Sequence, residues 1–82
     1  TAKTDVDGAS NATSVIVGDN DQIQVGMTIS GLTGNPVGVL VRTIEKVATG
    51  LSIGFGKPET NGVYSYSVGG STTLTFTNEA LL

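Results

Sequence analysis

Apolar and polar residues alternate along several short stretches of this chain, and glycine-rich turns separate the stretches. The β-branched run at residues 13–17 predicts one strand. Over residues 23–30, four apolar side chains alternate with polar or small ones, which places the four on one face of a strand. Gly26 lies within this stretch and predicts a bulge or tight bend. The four apolar residues are Ile23, Val25, Met27 and Ile29.

The second half of the chain predicts four more strands, at residues 37–47, 51–55, 63–68 and 72–77. In the first of these the alternation is interrupted, and a bulge near Arg42 to Ile44 restores it. Thr49-Gly50 predicts a turn. In the last strand Leu74 and Phe76 point inward and the threonines outward.

No stretch has helical spacing, so the pattern predicts an all-β fold. About six short antiparallel strands separated by glycine-rich turns are typical of a small single-domain barrel or sandwich. The polar start of the chain, residues 1–12, is expected to be a flexible N-terminal arm. Residues 13–78 then form the β domain, and residues 79–82 form a C-terminal tail.

Composition restricts how such a small domain reaches stability. With 82 residues and neither cysteine nor histidine, the chain offers no disulfide and no zinc site, which leaves association as the remaining route. Charged residues make up 13%, against about 25% in average soluble domains, and a weakly charged surface suits a protein that is docked on others. The net charge of −3 and the scattered cations argue against nucleic-acid binding. No apolar run approaches the roughly 20 residues of a membrane span.

Candidate chemistry is sparse, so we expect no enzyme, no catalytic residue, no cofactor and no metal. The commonest general base and the best nucleophile are absent, and the carboxylates lie mostly in loops or termini. Asp19-Asn20-Asp21 resembles the start of a calcium loop, but the residues that follow do not supply the remaining ligands. A polar turn with side-chain hydrogen bonds is the preferred interpretation.

Five residues are candidates for an interface with other proteins. Tyr64 and Tyr66 share one face of a predicted strand and form either a binding surface or part of the core. Arg42 is flanked by apolar residues and at an interface would bind a carboxylate. Leu81 and Leu82 end the chain and either pack on a neighbouring subunit or fray.

The segment at residues 23–31, followed by Pro36, Gly38, Val41 and Ile44, resembles a pattern found in structural proteins of tailed bacteriophages. The pattern continues through Leu51-Ser52-Ile53 and ends in a strand like that at residues 73–76, so the resemblance covers about two-thirds of the chain. The sequence departs from it at Asn35-Pro36 and in the longer loop at residues 54–62.

The resemblance implies a structural virion protein. The first expectation is a homotrimeric capsid decoration protein that binds the major capsid protein and stabilises the phage head. The alternative is a tail fibre or spike domain that binds a surface or carbohydrate. We expect a complete small protein rather than an excised fibre domain. A monomeric adaptor or inhibitor remains a further possibility.

Overall fold

Eight antiparallel strands and no helix make up the part of the chain that the structure describes, so the predicted all-β class is confirmed. The structure is a computed structural model and describes residues 2–57, 60 and 62–77, with side chains from residue 6 onward. The strands are β1 (Ala2–Asp5), β2 (Ala9–Ala12), β3 (Ser14–Val17), β4 (Thr28–Ser30), β5 (Leu40–Val47), β6 (Gly50–Gly56), β7 (Tyr66–Val68) and β8 (Thr73–Thr77).

Six of the strands form one sheet, in the order β1-β8-β4-β5-β6-β3, and β2 pairs with β7 in a separate two-stranded sheet. The longest pairing is the β5–β6 hairpin, in which Val47 faces Gly50 across a tight turn. A turn is therefore present where one was predicted, but it lies at Ala48-Thr49, one residue earlier than the predicted Thr49-Gly50, and Gly50 begins β6. Because β6 lies between β5 and β3, almost all of its residues are buried.

The two edges of the six-stranded sheet meet at Val6. This residue forms an antiparallel bridge with Val17 of β3, and the Asp7 N–H donates to the Ile16 carbonyl at 3.4 Å. On its other side the Val6 N–H donates to the Thr72 carbonyl at 3.1 Å. We call this junction the seam. Because it joins the β1 side of the sheet to the β3 side, the sheet curls into a barrel, one of the two architectures that the sequence left open.

The interior of the barrel is a single apolar cluster. Fifteen apolar residues are buried, and no polar or charged side chain is buried among the described residues. Leu74 and Phe76 are fully buried, as the alternation in β8 predicted, while Thr73 is exposed. The fully buried set is completed by side chains from β3, β5, β6 and the loop before β5: Val17, Val39, Val41, Ile53 and Phe55.

Two predicted irregularities are confirmed. The β5–β6 register shifts between Val41 and Thr43, which places a bulge at Arg42. Gly26 has a φ of +98°, and the Met27 N–H donates to the Gln24 carbonyl at 3.2 Å to close a turn there. The turn shortens the strand predicted at residues 23–30 to Thr28–Ser30. It also turns Val25 to the surface, so its predicted inward orientation is wrong.

The N-terminal segment differs from the arm expected at residues 1–12. In the structure it contributes β1, which pairs with β8, and β2, which pairs with β7. These two strands raise the count from about six to eight. The physical reason is that a strand ladder is made by backbone groups, so a segment poor in apolar side chains can still complete a sheet edge. The predicted tail at residues 79–82 lies outside the described residues.

Candidate interaction surface

Tyr64 and Tyr66 lie against each other near the end of β6. Their ring centroids are 5.1 Å apart at an interplanar angle of 54°. Tyr66 also meets Phe55 of the core edge-on, with centroids 5.5 Å apart and planes at 87°, an arrangement typical of attractive aromatic pairs. Tyr66 is therefore partly buried against the core, whereas Tyr64 is 51% exposed. The sequence left open whether the two tyrosines lie in the core or on a binding surface. Tyr66 packs against the core, and Tyr64 lies on the surface.

Burial of Tyr66 changes its acidity. The partly desolvated phenol has its pKa raised above the ordinary value of 10.0, first because burial disfavours the phenolate and second because Tyr64 lies beside it. Tyr66 is therefore neutral at physiological pH and serves as an apolar support for the more exposed ring of Tyr64.

A loop end holds Tyr64 at the surface. Val63 forms an antiparallel bridge with Gly56, and the Lys57 N–H donates to the Gly62 carbonyl at 2.6 Å. The loop thus returns to the end of β6, and Tyr64 follows directly. The Lys57 ammonium nitrogen lies 5.8 Å from the centroid of the Tyr64 ring, within the range of a cation–π interaction. We call Lys57, Val63, Tyr64 and Tyr66 the aromatic surface.

Arg42 lies beside the aromatic surface, in a groove of about 520 Å³ that Val63 also lines. The groove lies on the outer side of the β5–β6 hairpin, and the bulge at Arg42 shapes it. Gly54 lies opposite Thr43, and the Thr43 hydroxyl fills the space that a β-carbon at position 54 would need. Glu45 lines the groove farther along β5. Among the described residues, neither Arg42 nor Lys57 takes part in an ion pair.

The structure therefore brings together three of the five predicted interface residues. Arg42 shares a groove with Val63, which is the chain neighbour of Tyr64, and Tyr64 contacts Tyr66. Leu81 and Leu82 lie outside the described residues.

Sequence reasoning missed Val63 and Lys57. The sequence pattern predicts Val63 as an ordinary residue of a strand at residues 63–68, but the strand begins at Tyr66 and Val63 is 58% exposed. The departure of residues 54–62 from the phage pattern was the available signal, because that loop returns the chain to the end of β6.

The turn at Asp19-Asn20-Asp21 forms as preferred. The Gln22 N–H donates to the Asn20 side-chain oxygen at 2.9 Å, and the Ile23 N–H approaches the Asn20 carbonyl at 3.4 Å. Asp19 pairs with Lys46 of β5. Within the described residues no group of three or more histidine, cysteine, aspartate or glutamate side chains could together hold a metal ion.

No family model, no curated protein and no solved structure matches the chain. In the part of the chain that the structure describes, no helix has the length and apolar character needed to cross a membrane.

Proposed function

We propose that this chain is a non-enzymatic structural protein of a bacteriophage virion, a capsid decoration protein that binds and stabilises the head. The observation that carries the proposal is the aromatic surface with Arg42 beside it. Tyrosine and arginine are enriched in protein–protein interfaces. Here an exposed tyrosine and a half-buried arginine lie close together on a small, weakly charged domain. Its proposed partners are the major capsid protein and further copies of the chain, as a homotrimer.

The location of the phage-like motifs supports the proposal. The segment at residues 23–31 contains β4, the Leu51-Ser52-Ile53 motif lies in β6, and the last motif lies in β8. With β5, these strands are consecutive in the sheet, in the order β8-β4-β5-β6. The resemblance therefore falls on one contiguous part of the barrel.

The mechanism is mass action. A protein that binds only the assembled shell stabilises that shell by its binding free energy, about 2.7 kcal/mol per site at a free concentration 100-fold above Kd. Association also protects strand edges that would otherwise pair with other chains. This function needs a complementary surface and no chemical step.

The test is co-sedimentation with phage heads that lack this protein, combined with thermal melting of the heads. We expect saturable binding and a higher melting temperature of the heads. Val63→Ser is expected to weaken binding, whereas Val25→Ser serves as the matched control, because Val25 is 59% exposed but does not line the groove. Absence of binding to heads, or equal effects of the two substitutions, contradicts the proposal.

The second candidate is a tail fibre or spike domain that binds carbohydrate. The exposed Tyr64 ring offers a flat apolar face beside a groove with hydroxyl groups from Thr43 and Ser52. Binding to tails or to host-surface glycans, with no binding to heads, would favour this candidate.

A further inference from the structure

We infer that the aromatic surface and Arg42 bind the opposite end of a second copy of this chain, so that copies associate head to tail. This inference rests on the proposed function and names the partner of the same surface. Three properties of the barrel support this association: the positions of its charges, the separation of its ends and an open concavity at the seam.

Most of the described charges are sorted by sign between the two ends of the barrel; one exception is Glu45, which lines the groove farther along β5 than Arg42. Arg42 and Lys57 lie at the end where β6 finishes at Gly56. The other end, where β6 begins, carries Asp19 and Asp21 in the loop after β3.

Asp7 lies at this same end, in the seam, and Lys46 is bound to Asp19 there. We call Asp7, Asp19 and Asp21 the acidic end. Its three carboxylates are offset by a single described cation, so it carries net negative charge.

The two ends are too far apart to meet within one molecule. β6 runs from Gly50 to Gly56, and the six steps between its seven residues, at about 3.3 Å each, span roughly 20 Å. The longest dimension of the molecule is 30 Å. The charges therefore attract between copies and not within one copy.

The acidic end also offers a concavity whose lining mixes polar and apolar residues. A pocket of about 300 Å³ lies on the seam, and its lining includes Asp7, Ile16, Val17, Thr49 and Ser71. Ile16 is 37% exposed there. At the other end, the exposed Tyr64 and Val63 side chains project beside Arg42. Exposed valine and tyrosine side chains next to a cation are thus matched by a concavity that an exposed isoleucine and an aspartate line. Charge complementarity of this kind fixes the orientation of an interface.

A contact between two different ends of identical copies is heterologous. Repetition of such a contact closes a ring if the rotation between copies permits, and otherwise builds an open chain. A ring placed on a symmetric shell binds through several subunits at once, and avidity then strengthens a weak single contact. Loss of the copy-to-copy contact therefore also weakens head binding in the proposed function.

The experiment measures the mass of the 82-residue chain by sedimentation velocity, from about 5 µM to about 1 mM, at low and high salt. We expect the mass to rise above that of the monomer with concentration and the association to weaken with salt. Arg42→Glu should raise the dissociation constant about tenfold or more, because it places like charges at the contact. Far-UV circular dichroism and thermal melting check that each variant is folded.

The matched control is Lys46→Glu. It changes the net charge by the same amount as Arg42→Glu but lies at the acidic end, which it makes more negative. We expect association of this variant to be unchanged or stronger. If both substitutions weaken association equally, the effect comes from net charge alone and the inference is wrong.

Complementation provides the second arm. Asp7→Lys should weaken association on its own, because it reverses the charge at the acidic end. A mixture of Arg42→Glu and Asp7→Lys should associate again, since each variant keeps one native end. A wild-type monomer at every concentration overturns the inference. If that monomer still binds heads, the proposed function stands without the self-association.

Discussion

Replacing Gly50 with alanine tests how the barrel is closed. Gly50 follows the β5–β6 turn, pairs with Val47 and has a φ of +152°. A β-carbon there would overlap the carbonyl oxygen of Val17 and lie 3.4 Å from the Gly18 α-carbon. Because the obstructing atom belongs to the backbone, a change of side-chain rotamer cannot relieve the overlap. Val17 must therefore move. Val17 pairs with Leu51 in the β3–β6 ladder and also forms the bridge to Val6.

The expected destabilisation follows from these contacts. Backbone strain contributes about 1 kcal/mol. Loss of one or two backbone hydrogen bonds at the seam contributes about 1 kcal/mol each. Partial exposure of the buried Val17 side chain adds about 1 kcal/mol. Gly50→Ala should therefore lower the free energy of unfolding by about 3–4 kcal/mol, a large part of the roughly 4–12 kcal/mol expected for a domain of 82 residues.

The matched control is Gly34→Ala. Gly34 also has a positive φ, +83°, but no atom beyond its chain neighbours lies within 4 Å of the added β-carbon. This substitution should cost about 1 kcal/mol, from backbone strain alone. Urea denaturation of both variants measures the difference through the midpoints, provided that the slopes agree. If Gly50→Ala destabilises the protein no more than Gly34→Ala does, the account of the seam is wrong.

Two further predictions concern the ionisable groups. Because the pKa of Tyr66 is raised in the folded state, the phenol ionises at a lower pH in the unfolded state. The contribution of this pKa shift to the free energy of unfolding is therefore complete below about pH 10 and disappears as the pH rises through the folded-state pKa. Tyr66→Phe should show a smaller loss of stability between pH 8 and pH 11 than the wild type in urea denaturation, and equal losses would contradict this reasoning. The Lys46–Asp19 pair has side chains that are 63% and 65% exposed, so a double-mutant cycle with alanine should give a coupling energy below about 1 kcal/mol that falls with salt. A larger, salt-independent coupling would show that the pair is better shielded than its exposure indicates.

The strands that sequence reasoning predicted correctly are those in which apolar alternation coincides with a ladder. In β8, Leu74 and Phe76 alternate with threonine, and they face the core. In β5 the broken alternation of apolar and polar residues marked the bulge at Arg42. An extra residue in one strand moves every later side chain to the opposite face of the sheet from the one that strict alternation predicts. Side-chain pattern was a reliable guide wherever one face of a strand is buried.

The pattern was uninformative where backbone groups alone determine the structure. β1 and β2 have no apolar alternation, and their pairing with β8 and β7 depends on open strand edges elsewhere in the fold. Val25 fitted the alternation but lies inside the turn that the hydrogen bond from Met27 to Gln24 closes, and this turn changes the direction of the chain. Such positions depend on tertiary contacts that no local pattern contains.

The candidate surface was predictable only in part. Equal parity placed Tyr64 and Tyr66 on one face, and their rings do touch. Their different burial was not predictable, because it depends on the Phe55 ring, which contacts Tyr66 from another strand. The approach of Arg42 to Val63 likewise depends on the pairing of β6 with both β5 and the loop end.

The pairing of β1 with β8 has a consequence for how the chain folds as it is made. β1 ends at Asp5, and its partner strand begins at Thr73. At about 5–20 residues per second, synthesis of the intervening residues takes roughly 3–14 s, during which the first strand has no partner. Contacts between such distant parts of a chain also slow folding itself. Synthesis must therefore pass β8 before the barrel can form, and the nascent N-terminal strand is available to other chains until then.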